Sequence, residues 1–219
     1  MKSPLMAALV AATLAFAHNA NAQDDDRKND RYWGVGFGHA SVDQSTNLYG
    51  GDDENSSNTI ENAFFGLIAR DAAGESGIGF EAGYIGNIDT NYAAFGRGAS
   101  ADIDMSSLYL AAVGTILLSE DEDDGDRTEW FVKVGIHSWD FEATGRGTLS
   151  GKDSDDGSDW FYGVGIDHAP ADRKGLIVRT EYVVFPAEPE ITVITSNGAT
   201  EAKGDYKAGL FSASLIWRF

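Results

Sequence analysis

Three histidines stand in the body of the chain, His39, His137 and His168. A nucleophilic triad would need one of them on a shared face with a serine and an acid. His137 and Ser138 are neighbours, so a strand turns them to opposite faces. His168 runs directly into a turn, and His39 sits at the outer part of its own strand. The three lie in separate strands without ligand spacing, which argues against a histidine metal centre. The acidic run "EDEDDGDR" fails the calcium-loop pattern, because Phe131 stands where a Glu is required six residues after Gly125. Only loose divalent-cation binding by the acidic runs stays open. No catalytic residue, cofactor or metal ligand is expected, and the chain is read as a non-enzyme.

The other reactive groups are single charges inside alternating, apolar stretches. Glu81 lies in "GFEAGYIG", Lys133 in "FVKVGI", Asp167 in "GVGIDHA", and Arg179 and Glu181 in "RTEY". A period of two marks a strand with unlike faces. Trp130, Val132, Val134 and Ile136 share one face of their stretch, and Trp160, Tyr162, Val164 and Ile166 one face of theirs. The charges fall in the opposite phase, with glycines such as Gly36, Gly83, Gly135 and Gly165. A soluble ligand-carrying barrel is apolar inside and polar outside. Here the reverse is predicted: the apolar face meets lipid, the charges point inward, and the glycines make room for long charged neighbours.

Eight stretches have this strand character: 31–44, 59–70, 79–86, 104–118, 128–143, 158–168, 175–186 and 205–219. Their connections alternate between long, polar, Gly-rich loops and shorter turns, the asymmetry of barrels with long external loops and short periplasmic turns. In "EITVITSNGATEAKG" the Asn197-Gly198 pair signals a hairpin, so strands seven and eight are expected to continue above the membrane. Tyr32, Trp33, Trp130, Trp160, Trp217 and Phe219 are candidates for interfacial girdles. The longest apolar run, "LYLAAVGTILL", is short of the roughly 18–20 residues of a membrane helix, so insertion requires a closed barrel. The expected fold class is all-β, an eight-stranded antiparallel up-and-down transmembrane β-barrel. So small a barrel is filled by side chains. Buried charges need partners, so Arg179 and Lys133 are expected to pair with Glu81, Asp167 and Glu181, with Arg218 as a further base near the rim.

The 219 residues carry 16 Lys plus Arg against 35 Asp plus Glu, a net charge of -19, and no cysteine. Phosphate binding needs a basic patch, so nucleic acid is excluded as a partner. Residues 1–22 read as a secretory signal: Lys2, an apolar core from Leu5 to Ala17, and a small-x-small end with cleavage between Ala22 and Gln23. Residues 23–219 then form the barrel domain. An exported, cysteine-free, acidic chain fits the bacterial envelope.

Taken in order, "YWGVGFG", "GFEAGYIG", "FVKVGI", "GVGIDHA", "RTEY" and the terminal "SLIWRF" resemble the OmpA-type small outer-membrane β-barrel family. The resemblance covers the whole chain after the signal. It implies that Glu81, Lys133, Asp167, Arg179 and Glu181 line the barrel interior. It implies too that the alternating end with Trp217 and Phe219 is read by the barrel-assembly machinery. The expected location is the outer membrane, with both termini periplasmic and lipid and lipopolysaccharide around the barrel. Two functions stay open: a structural and interaction protein displaying acidic loops, which could meet an extracellular ligand, or a narrow, charge-gated pore of low conductance. The family's larger members carry a peptidoglycan-binding domain after the barrel. Here the sequence ends with the barrel, so that tether is not implied. The acidic turn "SEDEDDGDR" is longer than tight periplasmic turns.

Overall fold

Aromatic and β-branched residues at alternate positions favour pleated strands packed on both faces, and strands are what this chain forms. The computed structural model describes residues 29–46, 57–92, 99–121, 125–147, 151–173, 175–195 and 198–219. The signal segment with Ala22 and Gln23, part of the acidic turn and Asn197 of the hairpin tip lie outside these residues. The strands are β1 (Asn29–Thr46), β2 (Ser57–Arg70), β3 (Ser76–Tyr92), β4 (Ala99–Glu120), β5 (Arg127–Gly147), β6 (Lys152–Ala169), β7 (Leu176–Ala187), β8 (Glu190–Thr195) and β9 (Gly198–Arg218). β1 to β7 pair in sequence, β7 pairs with β9, and β9 closes on β1, all antiparallel. Eight strands thus form the ring. The short β8 pairs with the outer end of β9, continuing the line of β7 as the hairpin signal predicted.

The turns at one end are short. Gly175 holds the turn before β7 at a φ of 81°, and a Cβ there would lie 2.8 Å from the carbonyl oxygen of Arg218. At this end the Phe219 N–H donates to the Arg31 carbonyl at 2.9 Å, joining the last residue to the first strand.

The strands are longer than expected, chiefly toward the long loops. β4 has 22 residues and β5 has 21. A tilted span needs only about 9–11 residues, so about half of each stands beyond a bilayer. Along each strand the polarity inverts. Near the short turns Trp33, Phe80, Ile116, Val132, Val164 and Leu215 are exposed outside. Toward the long loops the exposed side chains are Glu61, Asp89, Asp104, Asp140, Asp156 and Lys207. There the buried positions become apolar, with Ile88, Met105, Trp139, Phe141 and Tyr206. A bulge between Ile85 and Ile88 shifts the phase of β3, keeping Ile88 inside and Asp89 outside.

Candidate functional site

The lower interior is polar because inward positions of seven of the eight ring strands each contribute a charge or hydroxyl, and β2 adds Asn62. Arg179 of β7 is the centre and is 0% exposed. Its Nε and Nη2 donate to Asp167 Oδ1 and Oδ2 at 2.8 and 2.9 Å, a two-pronged pair with β6. Its Nη1 donates to Glu81 Oε2 of β3 at 2.5 Å. The guanidinium also lies 4.2 Å from the centroid of the Phe131 ring. Glu81, likewise 0% exposed, takes Lys133 Nζ at 3.1 Å and the hydroxyls of Tyr32 and Tyr109, each at 2.9 Å. Lys133 reaches on to Glu181 at 2.7 Å. Glu181 accepts from Ser212 at 3.2 Å, and Ser212 accepts from Asn62 at 3.3 Å. All five sequence-selected charges therefore meet in one connected cluster. Each charge has an opposite partner, the condition under which ions tolerate burial.

Two expectations are corrected. Tyr32 is no girdle residue: it is 3% exposed and points inward. The glycines mostly admit aromatic rings rather than charged chains. A Cβ on Gly66 would overlap the Tyr32 ring, and one on Gly83 would lie 2.5 Å from the Tyr109 ring. Those two glycines let both phenols lie against the wall and reach Glu81.

A second cluster, not read from the sequence, closes the short-turn end. Arg70 pairs with Asp30 and lies 2.7 Å from Glu129. Arg127 reaches Glu129 at 2.5 Å and Glu120 at 3.2 Å, and Arg218 lies 3.6 Å from Asp30. Asp30, Arg70 and Glu129 keep the inward phase of Tyr32, Ile68 and Phe131. Counting that phase to the strand ends would have found them.

Above the polar cluster the Phe161 and Phe185 rings stack at 4.8 Å, with His137 edge-on to Phe185 at 5.1 Å. His137 is buried and does have a serine partner, Ser107 of β4, whose Oγ lies 2.9 Å from Nδ1. The Nε2 lies 2.8 Å from the Pro186 carbonyl, so that nitrogen donates and Nδ1 accepts from Ser107. The two partners lie 30 residues apart in sequence, and no local pattern announces them. His39 and His168 are elsewhere on the wall, His168 beside Thr128 at 3.1 Å. Among the described residues no group of three His, Cys, Asp or Glu could hold a metal ion.

Outside, beyond the apolar band, acids face one another across strands: Asp89 opposite Asp104, and Asp104 opposite Glu142. A hydrogen bond with Asp89, partial burial and the repulsion of Asp89 and Asp102 push the Asp104 carboxyl up to about 6. Trp33 and Trp217, partners across the β1–β9 closure, stack on the outer surface at 4.4 Å.

The chain matches the family described as Outer membrane protein beta-barrel domain over residues 7–219. No curated protein matches it. Among solved structures it is similar to the outer membrane protein OprG from Pseudomonas aeruginosa, at a TM-score of 0.51 and 10% identity, covering 88% of this chain and 96% of that one. The corresponding values for Ail of Yersinia pestis, crystallised with the heparin analogue sucrose octasulfate, are 0.49, 10%, 88% and 99%. For Neisserial surface protein A they are 0.46, 12%, 86% and 97%. At such identities the likeness to OprG speaks to the fold alone.

Proposed function

The chain belongs to the outer membrane protein β-barrel domain family, and from that premise we propose that it works as a plugged scaffold displaying an acidic surface outside the bacterial outer membrane. The observation that carries this reading is the double obstruction of the barrel. The ion cluster around Arg179 fills the lower interior, and the Phe161–Phe185 stack fills it again above. Eight strands leave room for side chains but not for a lumen beside them.

In this reading the short turns and both termini face the periplasm. The apolar band meets lipid and lipopolysaccharide, and Asp104, Asp140 and Asp156 stand in the external medium for a ligand to meet. Trp217 and Phe219 serve the assembly machinery that closes β9 on β1. Residues 1–22 are a signal removed between Ala22 and Gln23, and residues 23–219 are the barrel domain. An intact mass that retains Met1 would contradict the cleavage. The reading includes no catalysis: the Ser107–His137 pair is buried beside the aromatic stack.

The polar file that runs from Asp167 and Arg179 through Glu81, Lys133 and Glu181 to Asn62 favours a second reading, a narrow gated pore. Planar-bilayer recording separates the two. The plugged scaffold predicts a silent parent, and conductance only when Arg179→Ala is combined with Phe161→Ala and Phe185→Ala. Steady unitary conductance of the parent would overturn it in favour of the pore.

A further inference from the structure

The barrel wall is not laddered all the way round. β6 pairs with β7 only from His168–Val178 to Tyr162–Val184. Beyond that, β6 runs on from Phe161 back to Lys152 with β5 on one edge. β8, which continues the line of β7, pairs only with β9. Among the described residues, two strand edges therefore face each other across a seam without backbone pairing.

Carboxylates bridge it. Asp153 accepts the Ser154 N–H at 3.0 Å through Oδ1 and the Thr192 N–H at 2.6 Å through Oδ2. Asp155 does the same for the Asp156 N–H at 2.9 Å and the Glu190 N–H at 2.7 Å. Successive amides of a strand point to opposite edges. Those of Ser154 and Asp156, held by the side chains of their own neighbours, face the seam. Each carboxylate stands where the carbonyl of a paired strand would stand. These bonds are exposed, so they restrain the β8–β9 hairpin less than a buried ladder would.

We propose that the seam edge of β6 is a docking site for an extended basic peptide, which joins the sheet as an added strand when the β8–β9 hairpin swings aside. The edge offers amides at the two-residue spacing that strand addition uses. Its surroundings select the charge of the occupant. Asp153, Asp155 and Glu190 stand at the seam, and Asp156 and Glu188 are exposed in the adjoining chain. The nearby bases are committed, Lys152 to Glu142 at 2.6 Å and Lys203 to Glu190. On docking, the peptide's carbonyls take over the Ser154 and Asp156 amides. The released Asp153 and Asp155 then meet its lysines or arginines.

The inference deepens the proposed display function and rests on this end facing outward. In detergent both ends of the barrel are open to a peptide, so orientation and docking fail or succeed separately. The probe is a ten-residue peptide of alternating Lys and Val, compared with one in which two central residues are Pro and with one in which Glu replaces Lys. Hydrogen exchange on the full mature chain should show protection of Ser154 and Asp156 and faster exchange at Glu190 and Thr192. The Pro peptide keeps the charge but loses backbone pairings, and should bind at least about tenfold more weakly. Equal binding of the Lys-Val and Pro peptides, protection confined to other strands, or no binding would each overturn the proposal. Without peptide, Asp153→Ala with Asp155→Ala should speed exchange at Glu190 and Thr192. Unchanged exchange there would show that the bridges do not hold the hairpin, against the proposal.

Discussion

Replacing Arg179 by Met keeps much of the volume and removes the charge at the centre of the lower cluster. The two acids it leaves behind are not in equal positions. Glu81 retains Lys133 at 3.1 Å and the hydroxyls of Tyr32 and Tyr109. Asp167, 5% exposed, loses the two bonds that Arg179 donates. Breaking a buried pair from one side costs about 3–5 kcal/mol, because the other charge stays buried and alone. Most of that cost should therefore sit on Asp167. Arg179→Met with Asp167→Asn should recover a large part of the loss, whereas Arg179→Met with Glu81→Gln should recover little. The assay is denaturant unfolding of the refolded barrel in detergent or lipid, with both double-mutant cycles measured under the same conditions. The reasoning demands that the Arg179–Asp167 coupling exceed the Arg179–Glu81 coupling. Couplings of both pairs below about 0.5 kcal/mol would mean that the charges act independently, and would refute the network. The reverse order would refute the account of which acid depends on Arg179.

Val134→Arg turns a charge toward lipid from a side chain that is 52% exposed on the outer face, and near the midplane should cost about 2–4 kcal/mol; unchanged stability in lipid would show that β5 faces the other way. Deleting Phe219 removes the N–H bond to Arg31, and should slow insertion in cells and lower the folded yield; assembly at the parental rate would retire its role as a signal. Asp104 binds its proton more tightly when folded, with a carboxyl at about 6 against an ordinary 3.8. The folded state thus holds more protons than the unfolded one between those values. Its contribution is present below about pH 4 and is lost as pH rises through 6. Unfolding midpoints across that window should show a decline that Asp104→Asn flattens, and an equal slope in that variant would count against Asp104 as its source.

The lower barrel was legible because lipid and a filled interior impose opposite demands on alternate residues. Trp130 to Ile136 and Trp160 to Ile166 obey that rule without exception. The upper barrel was not, because there the outer positions meet water. "GRGTLSGKDSDDGSD" reads as a loop by composition, yet β5 runs to Gly147 and β6 starts at Lys152. The stretch 79–86 reads as the whole of β3, with a loop after it. A bulge between Ile85 and Ile88 lies at that point, and the strand continues to Tyr92. For the site, the phase of Glu81, Lys133, Asp167, Arg179 and Glu181 could be counted. Which of them meet could not, since Arg179 and Glu81 lie 98 residues apart. The aromatic type of Tyr32 and its place near a strand end suggest a girdle, but its phase, shared with the buried Gly34, is the inward one. Ser107 and His137 have no common local pattern at all.

The reversal of polarity along each strand sets the height of the barrel. Sliding outward by one residue pair would lift Leu110, Ile136 and Trp160 into water. Sliding inward would draw first Ser106, Ser138 and Ser158 and then Asp104, Asp140 and Asp156 into hydrocarbon, where a charge on the lipid face is costly. The acidic collar is thus a depth stop, reached once the ring of Ser106, Ser138 and Ser158 has entered the band. A membrane of different thickness would have to deform around it at fractions of a kcal/mol per Å, since the barrel has no apolar margin into which to move.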